Sequence, residues 1–222
     1  MASYLLAQRV PSLRGVRGPR LVVGTANVDE TLTGYLTKYD TSSADLNPIG
    51  GISKVDLRRF LAWARDTLGY TALDDILGAA PSAELTPEDG EGAQRDEDEM
   101  GLTYAELGEL GRLRKIERYG PLEAFERLAV TWTDTPPSRV ADKVERFFRA
   151  YATHRHKTTV STPAYHAEAY APEDHRFDLR PFLIDPSWSW QFRAIRARVR
   201  DLEGAPTRDG GPAVPDVPGG DA

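Results

Sequence analysis

No cysteine occurs in the 222 residues. That excludes disulfides, cysteine-based metal sites and thiol chemistry within this chain, and it fits a reducing, cytoplasmic setting. Histidine is scarce too, at four residues, so a zinc site has few ligands to draw on. No stretch approaches the roughly 18 apolar residues that a membrane-crossing helix needs. Positive charge is in deficit: 28 Lys and Arg against 34 Asp and Glu give a net charge of −6, the opposite of the clustered basic surface of a nucleic-acid binder. Neither nucleic acid nor membrane is therefore expected as a partner. A small phosphorylated ligand is still allowed, because a few well-placed cations suffice to hold it.

What is present reads as an ordinary folded domain, with 40% apolar and 28% charged residues. Arg9, Arg14, Arg17 and Arg20 all precede the first acidic residue, Asp29. This is how an organelle transit peptide reads; the alternative is a helix ending over Ala2 to Gln8, followed by a loop over Arg14 to Arg20. Leu21-Val22-Val23, ending at Gly24, suits a short buried strand of a parallel sheet, and Pro48-Ile49-Gly50-Gly51 reads as a turn. Ser53-Lys54-Val55-Asp56 predicts a capped helix start, followed by Leu57, Phe60, Leu61 and Ala64 as a stripe and Gly69 as a stop. Thr103 and Glu106 form a capping-box pattern for a helix that buries Leu107, Leu110 and Leu113. Pro136-Pro137-Ser138 opens a helix with Val140, Val144, Phe147, Phe148 and Tyr151 on one face. A last helix carries Trp188, Phe192, Ile195, Val199 and Leu202. Both stripes are expected to be core or subunit-interface faces rather than ligand boxes.

Two segments are poor in core residues. Glu84 to Glu99 holds eight acidic residues against one Arg and is expected as a solvated, mobile loop. Residues 204–222, rich in Gly, Pro and Asp, are expected as a disordered tail. Helices dominate, and one short strand is too little sheet for a complete α/β domain.

The chemistry concentrates in Gly24-Thr25-Ala26-Asn27-Val28-Asp29-Glu30, Gly34-Tyr35-Leu36-Thr37-Lys38-Tyr39, Asp45-Leu46-Asn47-Pro48-Ile49-Gly50 and Ser53-Lys54. A strand ending in Gly-Thr offers amides and a hydroxyl at the carboxyl edge of a sheet, where open α/β folds bind ligands. Lys38 and Lys54 can present positive charge to phosphate. Glu30 and Asp45 can hold magnesium or accept from ribose hydroxyls. Singly these are weak signals: a lone Lys is usually solvated, and an Asp before Asn-Pro usually shapes a turn.

In this order and spacing, however, the blocks resemble the synthetase signature of the NAD(+) synthetases, closest to the glutamine-dependent branch. The similarity continues through Ala79 to Leu85, Met100 to Tyr104, Val140 to Val144, His154-Arg155-His156-Lys157, Thr162 to His166 and Arg176 to Phe182. It thus spans residues 1–203, the C-terminal portion of that family's synthetase domain. The resemblance implies an α/β fold, here part of an adenine-nucleotide-hydrolase-like (ATP-pyrophosphatase), Rossmann-type domain that is mostly helical over these residues. It implies ATP-dependent amidation of deamido-NAD to NAD through an acyl-adenylate, with magnesium, ammonia derived from glutamine, and a homo-oligomer. Thr25, Lys54 and Ser82 match ATP contacts. Ser82 stands where many ammonia-dependent members have threonine. Tyr35, Leu36, Thr37, Lys38, Asp45, His156 and Lys157 match deamido-NAD contacts. Glu30 matches a residue assigned to magnesium in some members and to the dinucleotide in others. No protein nucleophile is implied.

The chain departs from the family in lacking the Ser-Gly-Gly-x-Asp-Ser pyrophosphate loop. Its Gly-Gly pairs, Gly50-Gly51, Gly210-Gly211 and Gly219-Gly220, have neither the serines nor the aspartate. An amidase domain with its catalytic cysteine is missing as well, and Ala2 to Gln8 resembles the end of a helix of the full domain. The expectation is a fragment of a ligase, inactive alone. The alternatives are a non-catalytic relic that binds dinucleotide or pairs with another subunit, and a helical interaction protein.

Overall fold

The computed structural model describes residues 2–18, 20–39, 43–82, 95–165, 171 and 184–204. Its core is built by the segments with the strongest helical periodicity. Pro137 opens α8, Pro137–His154, at a position where a missing N–H costs no hydrogen bond. Val140, Val144, Phe147, Phe148 and Tyr151 recur at three- and four-residue steps along it, and all are fully buried. The final helix, α9 (Ser189–Gly204), buries Phe192, Ile195 and Val199 and runs antiparallel to α8. Glu203 near its end accepts a hydrogen bond from the Ser138 amide at the start of α8 (2.9 Å), while Trp188 at its entry donates to the Phe148 carbonyl (3.3 Å). These expected faces are core. Leu202 of the same stripe is exposed.

A helix that the periodicity reading had not singled out, α7 (Pro121–Thr131), packs on both. Gly120 precedes it because any side chain there would strike the Gln191 amide, whose oxygen accepts from Leu122 N at 3.1 Å. The fourth wall is α6, Tyr104–Lys115. It starts where the capping pattern predicts: Glu106 N donates to Thr103 Oγ1 at 3.2 Å, and Thr103 N donates to Glu106 at 2.9 Å. Leu107, Leu110 and Leu113 are fully buried. Aromatic rings bind the walls together. Phe148 meets Phe147 edge-on at 5.3 Å and Trp188 edge-on at 5.6 Å, and the Arg114 guanidinium lies 5.3 Å from the Tyr151 ring centre.

The remaining elements form a periphery. They are α1 (Ala2–Leu13), α2 (Val28–Thr33), α3 (Lys54–Leu68), α4 (Leu73–Gly78), α5 (Asp96–Met100) and a 3₁₀ helix, Arg155–Val160. The helix reading at the N-terminus extends to Leu13, beyond the expected Gln8. The capped start of α3 and its stop at Gly69, in the left-handed conformation (φ 73°), are as expected. Its stripe differs: Ala64 alone is buried and Phe60 is 56% exposed, because among the described residues α3 packs mainly on the short α4 and on α6.

The sheet is also smaller than expected. Leu21-Val22-Val23 is not a buried strand: Leu21 and Val23 are 67% and 58% exposed. Pairing among the described residues is confined to isolated parallel bridges, Val23 with Leu46 and Asn47 with Ala164. Three segments thus lie side by side without enough covered apolar surface to make a sheet. Of the acidic stretch expected as a loop over 84–99, Asp96 to Glu99 belong to α5 instead, and Asp96 is buried. Residues 83–94 lie outside the described residues, as do 205–222 of the expected tail.

Because Phe148 is fully buried and joins α8 to Trp188 at the entry of α9, Phe148→Ala should cost about 3–5 kcal/mol of stability. Urea denaturation of the two proteins checks this, with an unchanged slope marking loss of packing rather than a changed unfolded state.

Candidate nucleotide site

The site is built around α2, which is six residues long and too short to persist without tertiary support. Asn27 caps it, accepting from the amides of Asp29 (3.0 Å) and Glu30 (3.1 Å), while its own side-chain amide donates to Glu30 Oε1 at 2.5 Å. The Glu30 side chain is thereby turned back over the helix start, and Lys54 Nζ approaches the same oxygen at 3.5 Å. Lys54 is brought there by the residue that precedes Glu30: Asp29, fully buried, accepts from the Lys54 backbone N–H at 2.8 Å. Below both lies Tyr104. The Lys54 ammonium is 5.3 Å from its ring centre, and its hydroxyl donates to Asp96 at 2.8 Å while lying 3.5 Å from Glu30.

This crowding has electrostatic consequences. Burial pushes the Glu30 carboxyl above its ordinary range; the Lys54 charge and the Asn27 amide oppose the shift, and the Asp96 charge adds to it. Burial, then the Glu30 charge, pushes the Tyr104 phenol far up, so it remains a protonated donor.

The other end of α2 is gripped from the far end of the chain. Gly34 closes the helix in the left-handed region (φ 69°), and a Cβ there would collide with the Cβ of His154. His154 Nδ1 pairs with the Thr33 carbonyl at 2.8 Å. Lys157 Nζ donates to the carbonyls of Gly34 (2.7 Å) and Leu36 (2.5 Å). The block from Tyr35 to Lys38 is thus fastened to the 3₁₀ helix that carries His156 and Lys157. Burial, followed by the charges of Lys38 and Lys157, lowers the His156 pKa. The Tyr35 hydroxyl donates to Glu99 at 2.6 Å, and Thr37 is exposed beside it.

Two expected site residues stand apart. Asp45 spends its carboxylate on the Val22 amide (2.8 Å), as a turn former does, and Thr25 is exposed next to Gly24. Gly24 itself lies against Asn47, whose side-chain amide donates to the Ala26 carbonyl at 2.7 Å. Ser82 follows Pro81, whose carbonyl accepts from the Asp96 amide at 3.1 Å. Asn27, Asp29, Asp96 and Tyr104 were not singled out by sequence reasoning. Asp29 and Asn27 lie inside the Gly24-to-Glu30 block, and Tyr104 inside a capping motif. Asp96 had no signal, because an acidic run reads as solvated surface. Among the described residues there is no group of three or more acidic or histidine side chains placed to hold a metal ion, and no helix is long and apolar enough to cross a membrane.

The fold first defines the class. It resembles the crystal structure of a glutamine-dependent NAD(+) synthetase from Cytophaga hutchinsonii, with TM-score 0.59 and 20% identity over 84% of this chain and 27% of that one; at that identity the likeness establishes shared architecture. The sequence model of the NAD synthase family matches residues 15–157, and the chain belongs to that family. It is 56% identical over 205 residues to the glutamine-dependent NAD(+) synthetase of Homo sapiens, 55% over 204 to that of Drosophila melanogaster and 54% over 204 to that of Saccharomyces cerevisiae. These matches cover 90–91% of this chain and 26–29% of the relatives; the chain therefore spans little more than a quarter of their length.

Two outcomes follow. Gly34→Ala should destabilise the protein by more than about 1 kcal/mol, because alanine is strained at that φ and displaces His154; thermal unfolding together with hydrogen exchange at residues 154–157 reads both effects. For Glu30, a folded pKa raised above the ordinary 4.5 means that the native state holds its proton longer than the unfolded chain. Its contribution to stability is then full below pH 4.5 and falls as pH rises through the raised value. Melting curves across that window should lose stability in the wild type relative to Glu30→Gln.

Proposed function

We propose that this chain is the C-terminal portion, residues 1–203, of the synthetase domain of a glutamine-dependent NAD(+) synthetase. Its part in the reaction is to hold ATP and deamido-NAD for amidation to NAD. The observation that carries this reading is the convergence on α2: Lys157 and His154 close one end around the Tyr35–Lys38 block, and Glu30 and Lys54 meet at the other. A site for two polyanions needs this separation of cationic groups on one rigid element.

In the proposed chemistry the nicotinate carboxylate of deamido-NAD attacks the α-phosphate of ATP. Pyrophosphate leaves, and ammonia then displaces AMP from the acyl-adenylate. No side chain need act as nucleophile. Lys54, with Thr25 and Ser82, is assigned to ATP. Tyr35, Leu36, Thr37, Lys38, Asp45, His156 and Lys157 are assigned to the dinucleotide. Magnesium would supply charge neutralisation at the phosphates, and Glu30 fits it as a carboxylate beside a phosphate-binding lysine. The finer fold assigned to the domain is the ATP-pyrophosphatase type of Rossmann fold, the assembly a homo-oligomer and the compartment the cytoplasm. The 222 residues contain no Ser-Gly-Gly-x-Asp-Ser loop and no cysteine. The backbone cradle for pyrophosphate and the release of ammonia from glutamine must therefore come from other polypeptide, and binding, rather than turnover, is the activity expected of this chain alone.

Calorimetric titration of the chain with deamido-NAD should give saturable binding, weakened about ten- to a hundredfold in Lys38→Ala for loss of one charge-assisted phosphate contact. Absence of saturable binding by the wild type would reject the dinucleotide-holding role. Turnover of ATP, deamido-NAD and ammonia by the chain alone would show the missing loop to be dispensable.

A further inference from the structure

A groove along the solvent-facing side of α8 holds a cluster of cations that the proposed function leaves without a role. Its volume of about 750 Å³ lies in the range of small-molecule sites. None of the residues assigned to ATP or deamido-NAD lines it. Arg139, Lys143, Arg146 and Arg149 of α8 and Arg196 of α9 do, together with the acids Asp142 and Glu145. Both acids are taken by Arg196, at 2.9 Å and 2.7 Å. Lys143 is neutralised by Glu106, at 2.7 Å to each carboxylate oxygen. Arg139, Arg146 and Arg149 are left without a carboxylate in ion-pair contact among the described residues. Arg146 and Arg149 stand three residues apart on one helix, where like charges repel. In a chain of net charge −6, such a surplus of positive charge calls for an anion from outside.

Two of these guanidinium groups are also held in place. Arg146 lies against Gly101, where a Cβ would come within 2.5 Å of its Cζ, and donates to the Glu99 carbonyl at 2.6 Å. Arg149 covers the Phe192 ring, 5.1 Å from its centre. Arg149 spends a ring contact and Arg146 one hydrogen bond, so each keeps N–H donors for a ligand. Along the helix axis Arg146 and Arg149 are about 4.5 Å apart, and Arg139 stands about 10 Å from Arg146.

We infer that this groove binds a small molecule bearing two or more linked phosphates, with Arg146 and Arg149 meeting the phosphates and Arg139 a further anionic end. Guanidinium forks donate to phosphate in pairs, and a concave groove of this size suits a small ligand better than a polymer. His154, at the C-terminal end of α8, lines the groove as well and pairs with the Thr33 carbonyl. The groove thus shares a residue with the clamp on α2, although the inference does not depend on the assignment of deamido-NAD to that helix.

Inorganic tripolyphosphate is the probe, titrated calorimetrically into the full 222-residue chain without magnesium. Saturable binding is expected, weakened about tenfold in Arg149→Gln and in Arg139→Gln, each for the loss of one charge-assisted contact. Arg149→Lys, which keeps the charge but not the fork, should fall between wild type and Arg149→Gln. Both arginines are exposed, so the variants should fold, and matching melting curves check it. Lys38→Ala should leave tripolyphosphate affinity unchanged, which separates the groove from the lysines around α2. Wild-type affinity in both Arg→Gln variants overturns the inference, as does the absence of saturable binding in the wild type. Equal displacement by sulfate at the same ionic strength overturns it too, by reducing the groove to general attraction of anions. Tighter binding of a tetraglutamate peptide, lost in the same variants, overturns the phosphate class and marks the face as a contact for an acidic protein segment. Deamido-NAD is titrated in parallel and should bind Arg149→Gln as it binds wild type. Dinucleotide binding that fails in the wild type while tripolyphosphate still binds rejects the proposed function and supports the groove.

Discussion

The bond from the Lys54 amide to the buried Asp29 carboxylate, 2.8 Å long, is the constraint on which the site depends. It fixes the first turn of α3 against the first turn of α2, 25 residues earlier in the sequence. A second bond, from Val28 N to the Ile52 carbonyl at 3.1 Å, completes the junction. Two helix starts meeting at one carboxylate satisfy donors that each would otherwise leave open. The same contact places the Lys54 side chain beside Glu30. An acid that caps the start of α3 thereby sets Lys54, whose amide it holds, beside Glu30, the residue that follows it.

The opposite end of α2 is held by different chemistry. Lys157 gives its ammonium to two carbonyls at the helix exit, and His154 takes a third. Carbonyls at a helix C-terminus carry partial negative charge and favour a cation there. A six-residue helix clamped at both ends behaves as a rigid spacer between an acidic-and-lysine cluster and a histidine-and-lysine cluster. The large helical core beneath it, α6 to α9, supplies the stability that α2 cannot supply for itself. Val28 and Leu32 anchor it there, both nearly inaccessible to solvent.

The electrostatics of the two clusters differ in kind. Around Lys54 the acids outnumber the base and burial raises their cost, as the upward shift of Glu30 records. Around Lys157 the bases gather, and His156 is pushed toward its neutral form by burial and then by Lys38 and Lys157.

What the sequence alone determined is local or periodic. The starts of α3 and α6 follow from Ser53 and Thr103, because a capping side chain acts on amides within its own turn. The buried faces of α8 and α9 follow from apolar spacing, and the family follows from the order of short blocks. Tertiary structure decided the rest. It left the Phe60 side of α3 and the Leu21–Val23 segment exposed, since burial requires a partner surface that no local pattern encodes. It turned Asp45 onto a backbone amide and brought His154 and Lys157 across more than 120 positions onto α2. It also drew Asp96 out of an acidic run and buried it against Tyr104. Composition averages over such a run, whereas a single hydrogen bond to a core tyrosine selects one of its members.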